Sequence, residues 1–147
     1  MKTNRVRVAI LAAWLLSAGC AATPQPSMAD KSLYDRLGGK PAITAVVDDF
    51  VGRVAGDNRI NGFFAQANVP RLKAQLVDQI CEASGGPCKY TGRDMKTAHR
   101  GMGVNSAAFD ALVGDLVATL DKFNVGEREK KELLAALGPM KSDIVEK

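Results

Sequence analysis

The chain has 147 residues, of which 46% are hydrophobic and 24% charged, a length that accommodates one domain with a hydrophobic core. Its formal net charge of +4 includes Lys2, Arg5 and Arg7, and removing these three from the 20 basic residues leaves 17 against 16 acidic ones. A nearly neutral remainder, without a basic block interleaved with aromatic residues, argues against nucleic-acid binding.

The first 20 residues have the features of an export signal: a basic start, an apolar run over residues 8–16 that is too short to span a bilayer, and small residues before Cys20. The pattern is similar to a bacterial lipoprotein signal, in which the cysteine is acylated. Ser17 stands where leucine is commonest, so an ordinary cleaved signal or an uncleaved anchor remains an alternative. We predict an exported protein, attached to the membrane only through a lipid on Cys20, at the cell envelope and facing the periplasm or the outside.

Residues 21–31 are small and proline-bearing with no apolar period, which is typical of a tether. We predict a globular domain over residues 32–147. Its first elements are a short helical turn that ends at Gly38-Gly39 and a second helix opened by Pro41. Apolar residues at steps of three and four continue the second helix to about residue 55.

Two adjacent phenylalanines, Phe63 and Phe64, follow in an irregular corner. Neighbouring side chains cannot both face one core direction from a regular helix, so one of the two could pack flat against a planar ligand. A third helix is predicted after Asn68, whose side chain can cap its first turn.

One face of this third helix carries both leucine and glutamine, at Leu72, Gln75, Leu76 and Gln79. Such a face suits a largely apolar pocket with a few polar groups. A partly exposed helix with solvated glutamines is an equally good interpretation of the pattern.

Cys81 and Cys88 are the two cysteines that remain if Cys20 carries a lipid. An even number of cysteines in an exported protein favours a disulfide, and the residues between the two can turn the chain back. We predict that Cys81 and Cys88 are bonded to each other, with two separate free thiols as the alternative.

His99 is the single histidine of the chain. It ends a short potential helix, one turn after Met95 and shortly before Gly101 and Gly103, which stop that helix. Because a neutral imidazole is the usual protein ligand of haem iron, we interpret His99 as an iron ligand. The alternative is a histidine that is merely exposed or satisfied within the core. No Cys-x-x-Cys-His motif is present, so covalent attachment of a c-type haem is not supported.

Two more helices complete the chain. Asn105 and Ser106 cap a long helix with an apolar stripe, and residues 127–146 form the last one, which Gly138-Pro139 should kink. The sequence has no alternating strand pattern, internal repeat or coiled-coil heptad, so we predict an all-α fold.

Several short motifs occur in order around the single histidine. They are Leu33-Tyr34, Leu37-Gly38-Gly39, Asp48-Asp49-Phe50, Phe63-Phe64, Gly85-Gly86-Pro87, Tyr90-Thr91-Gly92-Arg93-Asp94-Met95 and His99-Arg100-Gly101-Met102-Gly103. Together they resemble the group 1 truncated haemoglobins, from about residue 32 to residue 145. The resemblance implies a truncated globin fold, a two-over-two helical sandwich, with one non-covalent haem b per chain and His99 as the proximal iron ligand.

The resemblance also implies which residues surround the haem. Phe64 takes the family's aromatic position on the haem, with Phe63 beside it. The proximal and lateral walls would be lined by Tyr90, Met95, Phe109 and Leu116. Among the nearby cations we select Lys96 and Arg100 as partners of the haem propionates, since a carboxylate at a pocket mouth favours a cation; solvated surface charges are the alternative.

The gas-binding side departs from the family's pattern. Val51 stands where group 1 members commonly have tyrosine, Leu76 where they have glutamine, and Leu72 adds a third apolar group. Loss of a buried donor to O₂ should cost about 1.5–3 kcal/mol, or about tenfold or more in affinity. Gln75, or less favourably Gln79, could swing in to replace that donor. We hypothesise that O₂ release is fast and that Gln75→Ala makes it faster.

Three functions are compatible with this site. We predict reversible binding of a diatomic gas, O₂ or else NO or CO. The second function is an enzyme that oxidises NO to nitrate or performs peroxidase-like chemistry, for which the sequence identifies no electron donor. The third is a haem-free helical lipoprotein, against which the presence of His99, Phe64 and Tyr90 argues.

Overall fold

The structure is a computed structural model that describes residues 31–146, and every regular element in that range is a helix. The predicted export signal, Cys20 and the tether as far as residue 30 lie outside the described residues. Between residues 31 and 146, no helix combines the length and apolar character needed to cross a membrane.

The helices lie close to their predicted positions. They are α1 (Leu33–Arg36), α2 (Gly39–Gly56), α3 (Val69–Ala83), α4 (Met95–His99), α5 (Ser106–Lys122), α6 (Glu127–Leu137) and α7 (Lys141–Ile144), with 3-10 turns at Asn61–Phe64 and Gly138–Met140. α2 begins at Gly39 rather than at Pro41, because Gly38 adopts the left-handed conformation at φ 92° and turns the chain directly into it. The second 3-10 turn is the kink predicted at Gly138-Pro139, and it divides the predicted last helix into α6 and α7.

Two pairs of helices form the body of the fold. α2 packs against α3 and α5, and α3 packs against α6, so that α2 and α3 lie over α5 and α6. This is the predicted two-over-two arrangement. Its core is a single apolar cluster that includes Val47, Phe50, Ile80, Leu120 and Leu133. α4 packs against α7, which brings the His99 helix to the carboxyl-terminal end of the chain.

Side-chain caps fix where the helices around the site begin. Asn68, Asp94 and Asn105 cap α3, α4 and α5, and each accepts a hydrogen bond from the backbone N–H three residues later, at 3.0, 2.8 and 2.9 Å. Such a cap stabilises a helix by about 1 kcal/mol. The cap matters most for α4, whose 5 residues are too few to form a stable helix alone.

A disulfide joins Cys81 on α3 to Cys88, and their Cα atoms lie 5.7 Å apart. The loop between them packs closely on Tyr34 of α1. A Cβ atom on Gly86 would lie 2.4 Å from the Tyr34 ring and 2.7 Å from Cys81 Sγ, so glycine is required there. The disulfide therefore fixes the start of the loop that connects α3 to α4.

Asp115 on α5 is a buried carboxyl group, and its Oδ2 has no hydrogen-bond partner among the described residues. Burial, together with the nearby negative charge of Asp57, raises the pKa of Asp115. Hydrogen bonds from Arg59 instead lower the pKa of Asp57 to about 2. As the pH falls, Asp115 is therefore protonated before Asp57.

We expect Asp115→Asn to stabilise the protein at pH 7 by about 1 kcal/mol, or roughly 4 °C in melting temperature, because it removes an unpaired buried charge. Because the pKa of Asp115 is higher in the folded protein than in the unfolded chain, its carboxyl group destabilises the fold only at a pH above the unfolded-state pKa. The stabilisation by Asp115→Asn should therefore shrink as the pH falls to about 4. Thermal unfolding from pH 4 to 8 measures this effect. Asp143→Asn, which replaces an exposed acidic residue with no ion pair among the described residues, is the control. A gain that is independent of pH would contradict the assignment.

Candidate functional site

An apolar cleft with a cavity volume of about 60 Å³, partly open to solvent, lies where the 3-10 turn at Asn61–Phe64 faces α4 and α5. Its walls are formed in part by Phe63, Phe64, Phe109, Leu112 and Ile144. His99 is the one polar side chain in the lining. The cleft therefore combines an apolar, aromatic surface with a single imidazole.

The two ring nitrogens of His99 have different surroundings. Nδ1 lies 2.7 Å from the carbonyl oxygen of Met95, so it carries the proton and donates a hydrogen bond to that oxygen. Nε2 has no hydrogen-bond partner within residues 31–146 and keeps its lone pair. This is how a metal-binding histidine is usually oriented by a second group. The donor set and the apolar walls fit haem iron, with Nε2 as the nitrogen that could bind it.

Gln79 connects α3 to the elements around His99. Its amide Nε2 lies 3.3 Å from the sulfur of Met95 and 3.4 Å from that of Met140. Gln79 is half-buried between these thioethers, so the leucine and glutamine face of α3 points inward at this position. The side chain supports α4 and the 3-10 turn before α7.

Gln75 and Tyr90 both pack on Gly92, in the loop before α4. A Cβ atom there would lie 1.8 Å from Gln75 Oε1 and 2.4 Å from the Tyr90 hydroxyl, so any larger residue would displace both side chains. The hydroxyl donates a hydrogen bond to the carbonyl oxygen of Arg93 at 2.7 Å, and burial raises the pKa of Tyr90. Gln75 would have to leave Gly92 to reach a gas ligand.

The side chains expected near a gas ligand are apolar in the structure as well. Val51 is buried in the core cluster, and Leu76 packs against that cluster. Leu72 is half-buried one turn before Leu76. None of these three side chains carries a hydrogen-bond donor. Leu116, predicted for the proximal and lateral walls, is also buried in the core cluster.

Lys96 and Arg100 line a second, polar cleft, together with His99 itself and residues of α7 and the chain end. Two other lysines are already paired, Lys73 with Asp48 at 2.9 Å and Lys89 with Glu82 at 3.2 Å. Lys96 and Arg100 share the cleft with His99 and have no ion pair within residues 31–146, so they could meet a carboxylate there.

Several residues at the site were not predicted from the sequence. Met102, Val104 and Ala108 line the apolar cleft, and Met140 contacts Gln79. An apolar residue, Val104, directly after Gly103 is a weak indication in the sequence that the chain returns to the apolar cleft at this point. Nothing in the sequence indicates the contact with Met140, because its partner lies 61 residues earlier in the chain.

Comparison with known proteins gives one consistent result. Residues 32–146 match the family model described as bacterial-like globin. A group 1 truncated haemoglobin of Mycolicibacterium paratuberculosis is 38% identical over 113 residues, which cover 77% of this chain and 83% of that protein.

Solved structures agree with this match. The truncated haemoglobin of Tetrahymena pyriformis superposes with a TM-score of 0.76 and 31% identity, covering 80% of this chain and all of that one. The 2/2 haemoglobin of a Synechococcus species, solved with covalently attached haem, has a TM-score of 0.74 and 32% identity over 78% of this chain and 98% of its own. Because the family model matches nearly all of the described residues, the chain belongs to the bacterial-like globins and, within them, to the group 1 truncated haemoglobins.

Proposed function

We propose that His99 Nε2 is the protein ligand of the iron in this globin, and that the haem lies in the cleft lined by Phe63, Phe64 and Phe109. As a member of the globin family, the chain is a haem protein with haem b as its cofactor, and it binds a diatomic gas such as O₂. The observation that carries the assignment is the hydrogen bond from His99 Nδ1 to the Met95 carbonyl oxygen, which leaves the Nε2 lone pair available on a residue that lines the apolar cleft.

The chain's own residues hold and orient the cofactor, while the iron supplies the position at which the gas binds. Aromatic and aliphatic walls exclude water and favour a large planar apolar group. Phe64 offers a ring that can pack on it. Lys96 and Arg100, near the histidine, supply cations for the propionates.

Replacing His99 tests the ligand assignment. Protein without residues 1–20, mixed with hemin, should show a Soret band, with ferrous and CO-bound spectra typical of histidine ligation. His99→Ala should lose these histidine signatures, because no other imidazole exists in the chain.

The control is His99→Gly with added imidazole, which should recover the parent spectra because the free ring can occupy the space of the deleted one. If the parent protein shows no Soret band, it does not bind haem under these conditions, and the assignment of His99 as an iron ligand is wrong.

We further propose that the protein binds gas reversibly and releases O₂ quickly. Bound O₂ carries partial negative charge, and a buried donor would stabilise it by about 1.5–3 kcal/mol. Val51, Leu72 and Leu76 cannot donate, and Gln75 packs on Gly92. NO and CO depend less on such a donor and should be held relatively better than O₂.

Val51→Tyr should slow O₂ dissociation by about tenfold or more, because it introduces a hydroxyl donor at the family's usual position. Stopped-flow measurement of O₂ release gives the rate. Val51→Phe is the matched control, since it adds the ring without the hydroxyl and should not slow release. The proposal is wrong if both variants slow release equally.

Gln75→Ala tests whether the Gln75 amide contacts the gas. Faster O₂ release would show that the amide donates to the bound O₂, and an unchanged rate would show that it stays packed on Gly92.

We also propose that the protein is a lipoprotein of the cell envelope. The basic and apolar start followed by small residues and Cys20 supports this location. The bond between Cys81 and Cys88 supports it independently, since disulfides persist in oxidising compartments outside the cytosol.

Cys20→Ala should abolish lipid attachment and move the protein from the membrane fraction to the soluble fraction of fractionated cells. Mass spectrometry of the amino-terminal peptide identifies the lipid directly. Cys88→Ala is the matched control, because it removes a cysteine and leaves Cys20 intact. An unmodified Cys20 in the parent protein would refute the lipid anchor.

A further inference from the structure

The segment after His99 is bound to the end of the chain. The Gly101 N–H donates to Glu146 Oε1 at 2.5 Å, and the Gly103 N–H donates to Oε2 at 2.7 Å. The Glu146 N–H in turn donates to the carbonyl oxygen of Val104 at 2.8 Å. Both carboxylate oxygens and the backbone of one residue thus hold the turn formed by residues 101–104, which we call the proximal turn.

Besides Glu146, the proximal turn is held by buried Val104 and by the Met102 N–H, which donates to the His99 carbonyl oxygen at 3.1 Å. Gly101 and Gly103 lie at φ 78° and 68°, in the left-handed region that favours glycine, and neither has a side chain to pack. Arg100 before them is already extended, so α4 gives no helical support beyond His99. Two side chains bind the backbone on either side of His99: Asp94 caps the start of α4, and Glu146 binds the turn that follows it.

The chain end that carries Glu146 is itself attached to the cleft. Ile144 lines the cleft next to His99. Lys141 binds Asp110 at 2.7 Å, and its ammonium group lies 5.2 Å from the centre of the Phe109 ring. α7 thus contacts both α5 and the cleft, which gives Glu146 a fixed point from which to hold the proximal turn.

The charge of Glu146 strengthens this contact. Hydrogen bonds from the Gly101 and Gly103 amides lower the pKa of its carboxyl, because they stabilise the ionised form. Hydrogen bonds to a carboxylate are about twice as strong as those between neutral groups. Two such bonds reach the turn that directly follows the candidate iron ligand.

We propose that Glu146 is a positioning residue for the proximal histidine: by holding the proximal turn, its carboxylate fixes the direction in which His99 Nε2 meets the iron. The inference rests on the proposed role of His99. It assigns a part in cofactor binding to the last residues of the chain, which contact no iron ligand directly. Residues that orient a metal ligand from the second layer typically change metal affinity by about 10- to 100-fold when replaced.

Glu146→Ala and Glu146→Gln in the haem-loaded full chain test this inference. Glu146→Ala removes both acceptors, so hemin transfer to an excess of a hemin-scavenging globin should be about tenfold faster than in the parent. The iron–histidine stretching band of the ferrous protein, measured by resonance Raman spectroscopy, should shift or broaden. Glu146→Gln retains one carbonyl acceptor and should lie between Glu146→Ala and the parent.

Glu127→Gln is the control, because Glu127 is an exposed acidic residue of α6 that lines neither cleft and makes neither of these bonds. It should leave hemin transfer and the iron–histidine band at parent values. Hydrogen exchange of the Gly101 and Gly103 amides in haem-free protein gives a readout that does not need the cofactor. Both amides should exchange faster in Glu146→Ala, while core amides of α2 and α5 keep their protection.

Two results would overturn the inference in different ways. If Glu146→Ala speeds amide exchange but leaves the iron–histidine band and hemin transfer unchanged, Glu146 orders the turn without positioning His99. If the parent protein shows no iron–histidine band at all, the role of His99 fails, and the role of Glu146 fails with it.

Discussion

The hydrogen bond between His99 Nδ1 and the Met95 carbonyl oxygen determines which nitrogen of the only histidine keeps its lone pair. The bond joins residues four apart, so it forms only while α4 is helical. A helix of this length is not stable by itself, and its conformation has to come from its surroundings. Asp94, Gln79 and Glu146 supply those surroundings from the start of α4, from α3 and from the end of the chain. The chemistry of one imidazole thus depends on contacts distributed over the whole domain.

The same dependence explains the tight loop before α4. Gly92 lies under Gln75 and Tyr90, and Gly86 lies under Tyr34 and the Cys81 sulfur, so a larger residue at either position would displace its neighbours. The disulfide at Cys81 restrains the beginning of this loop, while the Tyr90 hydroxyl bonds to the backbone near its end. These contacts hold the loop between α3 and α4 in one conformation, so His99 can be positioned by a short helix.

Val51 and Leu76, which we predict to lie on the gas-binding side, pack with the core cluster and so contribute to folding. A gas bound beside these side chains would depend on the iron more than on the protein, because neither of them can donate a hydrogen bond. Gln75, directly before Leu76 in the sequence, carries a hydrogen-bond donor, but its amide already packs against Gly92. To bind a gas, the Gln75 side chain would have to give up its contact with Gly92. Tertiary contacts, and not the position of Gln75 on the helix, therefore decide whether it can act as a donor.

Periodicity, caps and residue chemistry are local properties, and they were enough to predict the all-α class, the helix starts at Asn68 and Asn105 and the kink at Gly138-Pro139. They also identified His99 as a candidate ligand, and the motifs around it indicated the family. Packing between distant segments sets the direction of Gln75, the contact of Gln79 with two methionines, and the hydrogen bonds of Glu146 with Gly101 and Gly103. These contacts join residues far apart in the chain, and their geometry exists only after the helices have packed, so no local pattern could encode it.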